Sequence, residues 1–203
     1  MLHDAALNIG ASLAGAFFRT GDCAQDPDLQ LHFLSFMPLA KDWGLAKLSG
    51  FRLGMYQKRP ASRGHARITS KNIADQPDFT FNHLSHEEDI RVAIAGMRAA
   101  MKIGAAMPAE LNVKQIDPSP EATDDELLAY LRENADTAFH FAGTAKMGTD
   151  DMAVVDPQLR VRGVVGLRVD DASVMPAEVT ANIHPAVIAL TEKGADLIRA
   201  DRR

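Results

Sequence analysis

The sequence predicts an α+β fold, a mostly antiparallel sheet with helices on one face. Two observations carry this. Four short strand candidates follow one another without long helices between them, and two capped amphipathic helices come after. A third bounds the class: 203 residues with 46% hydrophobic and 24% charged side chains suit a globular chain of one large or two small domains.

The elements follow in order. Ala5 to Phe18 is apolar but diluted by Asn8, Gly10, Ser12 and Gly15, and reads as a buried helix or loop. Asp4 precedes it and no cationic segment does, so it is not read as a targeting signal. In residues 28–37, Leu29, Leu31 and Phe33 alternate with Gln30 and His32, the period of a half-buried strand. A second strand is expected over 51–58. The Arg59-Pro-Ala-Ser-Arg-Gly64 block is a turn by composition. Strands over 65–70 and 78–84 follow it.

Ser85 and Glu88 have capping-box spacing, so a helix should start there and run to about Ala105. Ile90, Ile94, Met97 and Met101 recur at helical spacing, and Pro108 stops the run. Thr123 and Glu126 make a second capping box, opening a short helix with Leu127, Leu128 and Leu131 inward. Beyond Thr137, strand-like pieces (Ala153–Asp156, Leu159–Gly163, Gly166–Asp171) alternate with turns. A last helix is expected from Pro185 to about Ala200, with proline well placed in its first turn.

Several functions are disfavoured at this level. Lysine and arginine number 22 against 27 aspartate and glutamate, a net charge of −5, so nucleic acid is not an expected partner. No run reaches the roughly 20 apolar residues of a membrane span, and a cytoplasmic location is expected. Cys23 is the single cysteine, and no metal site is expected; His83 and His86 stand three apart without an obvious third ligand. Gly-x-Ser-x-Gly is absent, as is the Gly-x-Gly-x-x-Gly phosphate loop of dinucleotide-binding folds.

Two segments remain. His140 lies between Phe139 and Phe141 ahead of a glycine turn, where an imidazole can serve as a general base or as an ordinary core histidine. Val179 to Pro185 precedes the last helix, whose N-terminal N–H groups suit an anion. Asn182 or His184 can equally be a simple cap there.

The order of these segments resembles the C-terminal signature of the glucose–methanol–choline (GMC) oxidoreductases. His140, Gly143, Thr144, Lys146, Met147 and Gly148 match its His-x-x-Gly-Thr-x-(Arg/Lys)-Met-Gly element. Ala153–Asp156, Leu159–Val161, Gly166–Val169, Asp171–Pro176 and Glu192–Ile198 continue it. Upstream, Ala14–Thr20, Pro27–Gln30 and Arg59–Gly64 also match. The chain is most similar to choline- and alcohol-dehydrogenase-like members.

The resemblance implies an FAD-dependent oxidation of a CH–OH donor, with hydride passing to flavin N5 and His140 taking the hydroxyl proton. Asn182 matches a second polar residue that holds the substrate oxygen. His184 stands where the family often has another Asn, so either can face the substrate; the spacing to Glu192-Lys193 favours Asn182. Asp171, Ala172, Ser173, Val174, Asn182 and Pro185 are implied to lie along the flavin. Phe141 departs from the family's usual Pro after the histidine. By the same resemblance, residues 1–150 are expected to form the substrate-binding domain and residues 151–203 to return to the FAD domain. The Rossmann part is then missing. The expected partners are a small-molecule alcohol and a flavin-domain half or an electron acceptor. The rival expectations are a non-catalytic cap fragment that cannot bind FAD alone, and a small binding or structural domain reusing the scaffold.

Overall fold

The computed structural model describes residues 12–21, 26–37 and 49–201. Cys23 and Trp43 lie outside them, as does the 5–11 part of the first apolar stretch. The chain divides into two compact units, Met1–Lys58 with Leu84–Asp136, and Arg59–His83 with Thr137–Arg203.

In the first unit, β1 (Ser12–Phe18), β2 (Leu29–Leu34) and β3 (Arg52–Gln57) form an antiparallel sheet with β2 central. The strand β1 replaces the helix or loop expected there. Small residues give Ser12–Ala16 no apolar stripe, whereas pairing Phe17 with Gln30 and Gly15 with His32 satisfies its backbone. Gly15 is required by this approach, since a Cβ there would stand 3.0 Å from the Leu31 carbonyl oxygen.

Helix α1 (Glu87–Ala105) lies against β2 and β3. Its N-cap is His86, not Ser85: Nδ1 of His86 accepts from the Glu88 N–H at 3.2 Å. Leu84 at φ 55° turns the chain just before it and moves the start by one residue. Three acidic residues, Glu87, Glu88 and Asp89, sit favourably in the first turn. Asp89 is buried and accepts from Gln57 Nε2 at 2.9 Å, tying helix to sheet.

Gly96 sets how closely the helix approaches. A Cβ there would overlap Leu29 Cδ1 and stand 3.0 Å from Met55 Sδ. Leu29 is fully buried and has nowhere to go. Overpacking of about 1–3 kcal/mol therefore outweighs the roughly 0.5–1 kcal/mol that alanine gains in a helix. Gly96→Ala is expected to lower unfolding free energy by about 1–2 kcal/mol, read from denaturant midpoints.

Helix α2 (Asp124–Asn134) packs on α1 through buried Leu127 and Leu131. Its capping box is complete: the Glu126 N–H donates to Thr123 Oγ1 at 3.3 Å, and the Thr123 N–H donates to Glu126 Oε2 at 2.7 Å. The Thr123 donors hold the Glu126 carboxyl below its ordinary range. Thr123→Ala should cost about 1 kcal/mol, measurable as a lower denaturant midpoint at unchanged slope.

In the second unit, β4 (His65–Arg67) and β5 (Asp78–Thr80) form an antiparallel hairpin. The four strands expected between residues 28 and 84 therefore divide between a sheet and a separate ribbon. The pieces expected as strands after residue 150 are isolated bridges: Met147 with Val155, Val155 with Val161, and Arg160 with Arg168. Turns interrupt them. Asp156 Oδ1 accepts from the N–H groups of Gln158 and Arg160, and Leu159, Gly163 and Gly166 have positive φ. Helix α3 (His184–Asp201) places Leu190 and Leu197 against a core of Val155, Leu159 and Val174.

The boundary expected at residue 150 does not coincide with the boundary between the compact units. Residues 143–147 are hydrogen-bonded to 172–174: Gly143 N–H to Ala172 O, Ala145 N–H to Ser173 O, and Met147 N–H to Val174 O, at 3.4, 2.9 and 2.8 Å. These bonds hold the loop after His140 within the unit of the C-terminal segment. Among the described residues, no helix is long and apolar enough to cross a membrane.

Candidate active site

His140 precedes the 143–147 segment that is bonded to 172–174, and it meets Asn182. Asn182 Nδ2 stands 3.1 Å from His140 Nε2, in a half-buried contact between residues 42 apart in sequence. With the amide nitrogen donating, Nε2 is the accepting nitrogen, the form a general base needs. Gly143 makes the loop possible. Its φ is +86°, and an added Cβ would stand 3.3 Å from the Met175 carbonyl oxygen.

His184, the other candidate, is the exposed first residue of α3. Pro185 follows it and is also exposed. Asp171 caps the short 3-10 turn Ala172–Val174, its Oδ1 accepting from the Ser173 N–H at 2.7 Å. Ala172 and Ser173 are half-buried, and Val174 is fully buried in the core. Val174 is buried as a whole residue, its carbonyl accepting from the Met147 N–H, so Ala172 and Ser173 are the members of the turn with surface to offer a ligand.

The other described histidines have separate places. His32 lies between Ser12 Oγ and Tyr56 Oη, at 3.0 and 2.9 Å. Burial, and secondarily Lys58, lower its pKa from the ordinary value. His65 faces Asp78 at 3.7 Å. His86 caps α1, and His83 stacks on Phe81 with centroids 5.4 Å apart. Among the described residues, no three His, Cys, Asp or Glu side chains gather as a metal site.

Sequence reading missed the aromatic support of the histidine loop. Phe79, Phe81 and His83 stack in series, and Phe81 also stacks on Phe141 at 5.2 Å. Phe141 thus anchors the loop directly after His140. The period-two spacing of residues 79, 81 and 83 is the signal that would have found three of these rings. Asp170 was also missed. Its Oδ1 is buried without a hydrogen-bond partner, and a Cβ on Gly194 of α3 would overlap its Oδ2. Burial first, then neighbouring Asp171, raises its pKa.

The residues fit a flavin edge in one testable respect. The first turns of α1 and α2 each carry three acidic residues, whereas that of α3 carries none. The partial positive charge at the start of α3 is therefore not offset by its own side chains, which suits an anionic ring edge. His184, Pro185 and Asn182 border that end, and Asp171 to Val174 line the adjoining loop.

Most of the chain is similar to known proteins. Residues 60–191 match the family profile described as GMC oxidoreductase. The chain is 40% identical over 189 residues to an oxygen-dependent choline dehydrogenase of Escherichia coli O45:K1 (strain S88 / ExPEC), covering 92% of the chain and 34% of that protein. It is 40% identical over 197 residues to the enzyme of the same name from Serratia proteamaculans (strain 568), covering 94% and 35%. The chain thus spans about a third of the length of these relatives. Among solved structures, pyridoxine 4-oxidase from Mesorbium loti superposes with a TM-score of 0.82 at 25% identity, over 94% of the chain and 38% of that structure. A formate oxidase variant from Aspergillus oryzae RIB40, studied for its FAD modification, gives 0.78 at 30% identity, over 87% and 32%. With its histidine loop, its 3-10 turn and the start of its last helix inside the matched span, the chain belongs to the GMC oxidoreductase family.

Proposed function

We propose that this chain contributes the proton-handling part of an FAD-dependent oxidoreductase acting on the CH–OH group of an alcohol. The observation that carries the reading is the contact between His140 Nε2 and Asn182 Nδ2. A substrate hydroxyl entering between the two takes the place of the Asn182 donor at Nε2, donating its proton to Nε2 while its oxygen accepts from Nδ2. Loss of that proton raises electron density on oxygen and weakens the adjacent C–H bond toward hydride loss. Asn182 steadies the oxygen as negative charge develops on it. Bound FAD would supply the two-electron acceptor. Asn182, Pro185 and the Asp171–Val174 loop are the residues of this chain assigned to its edge.

The 203 residues contain no Gly-x-Gly-x-x-Gly loop, so the grip on the FAD phosphates is assigned to residues outside the chain. A flavin-domain half is therefore the proposed partner, with an electron acceptor completing turnover. Choline is the first donor to try, given the names of the relatives. The test is anaerobic mixing of the flavin-loaded protein with choline and a panel of primary alcohols. Loss of the oxidised flavin's visible absorbance with at least one donor is expected. No bleaching with any donor, from protein shown to hold FAD, would remove the reading.

A further inference from the structure

The second unit contains a cleft of about 440 Å³, lined by neither His140 nor Asn182 and independent of the proposed redox role. Arg160, Arg162 and Arg168 line it, with Asp156 and Asp201 as the carboxylates. Asp201, at the end of α3, occupies two of the arginines at once. Arg160 Nη2 reaches both its oxygens at 2.8 and 2.9 Å, and Arg168 Nη2 reaches Oδ2 at 2.5 Å. Two guanidinium groups that converge on one carboxylate are already set for an oxyanion.

Donor capacity remains. Arg162 spends Nη1 and Nη2 on the Asp150 and Gly148 carbonyls, and Arg168 spends Nε on the Gln158 carbonyl. Nε and Nη1 of Arg160, Nε of Arg162 and Nη1 of Arg168 meet no acceptor among the described residues. Apolar walls complete the cleft. Leu167 and Val164 are each half exposed, and Val165 is fully exposed at the turn between two glycines of positive φ.

We propose that this cleft binds a phosphomonoester, whose phosphate replaces the Asp201 carboxylate between Arg160 and Arg168 and whose apolar body rests on Val164 and Leu167. A phosphomonoester carries about −1.5 to −2 charges and three acceptor oxygens. That is more charge and more acceptors than one carboxylate offers. Asp201 is 40% exposed, so its carboxylate can turn to water once a phosphate takes over both arginine contacts. With Asp201 turned outward, the three guanidinium charges face the Asp156 carboxylate and about half a negative charge from the C-terminal end of α3, a balance that still favours an anion.

The experiment titrates the 203-residue chain with phenyl phosphate, followed by calorimetry. Saturable binding is expected, with inorganic phosphate competing more weakly for want of an apolar body. Asp201→Asn should tighten binding by about fivefold, the worth of an exposed ion pair. Arg160→Gln and Arg168→Gln should each weaken it by about tenfold or more, with unchanged far-ultraviolet circular dichroism. Absence of binding in both the unsubstituted chain and Asp201→Asn overturns the proposal. So does binding that the arginine variants leave intact. Vesicles of phosphatidic acid in phosphatidylcholine form the second arm. Capture by vesicles without phenyl phosphate binding overturns the soluble ligand and assigns the cleft to a lipid headgroup.

Discussion

Replacing His140 by alanine in the flavin-loaded enzyme is expected to lower turnover by about 10²–10⁴-fold, the range for loss of a positioned general base. Replacing His83 should leave turnover near that of the unsubstituted protein. Both histidines are partly exposed and both neighbour an aromatic ring, so the comparison isolates position from residue type. His83 stacks on the face of Phe81, whereas His140 presents Nε2 to an amide donor. Asn182→Ala should cost about 10²-fold, as for loss of one donor to a developing oxyanion. Asn182→Asp adds a sharper test. A carboxylate beside Nε2 favours the imidazolium, so the His140 pKa rises. The neutral base then appears only at higher pH, and the acid limb of the kcat/KM profile moves upward by about one unit or more. Equal turnover in the His140→Ala and His83→Ala proteins would remove His140 as the base. An unmoved acid limb in Asn182→Asp would show that the pair does not act together.

How much of this was legible in the sequence depends on the range of the interaction concerned. Helix α2 was readable because Thr123 and Glu126 exchange bonds three residues apart, and α1 because its apolar residues recur at helical spacing. Strand partners were not readable. Nothing local says that Gln30 faces Phe17 and Tyr56 while Thr80 faces His65 in a separate ribbon. The region after residue 150 misled for a physical reason. Its β-branched residues favour extended backbone, but Asp156, Gly163 and Gly166 turn the chain before a ladder can lengthen. The site follows the same division. His140 and Asn182 were named through resemblance and spacing. Their approach to 3.1 Å, the backbone ladder between 143–147 and 172–174, and the stack of Phe81 on Phe141 are long-range facts.

The hairpin offers the second large effect, through Gly64. A Cβ on this residue would overlap the Thr80 carbonyl oxygen and stand 2.8 and 2.9 Å from the Phe81 carbonyl oxygen and carbon. These are backbone atoms, so no rotamer change relieves the clash, and the strands must part. Gly64→Ala is therefore expected to cost about 1–3 kcal/mol locally. A two-stranded ribbon of three residues each has little with which to absorb that loss. Phe81 follows β5 directly, so separation of the strands also withdraws its ring from Phe141 beside His140. The expected readings are faster amide exchange across β4 and β5, loss of the Phe81–Phe141 ring contact by nuclear magnetic resonance, and lower turnover with α1 and α2 unaffected. Gly163→Ala is the control. Its φ is +77° but a Cβ there meets nothing within 4 Å, so it should carry only the backbone cost of about 1 kcal/mol and leave the rings in contact. Native exchange protection of β4 and β5 in Gly64→Ala would show that the ribbon yields without parting, and that Phe141 does not depend on it for support.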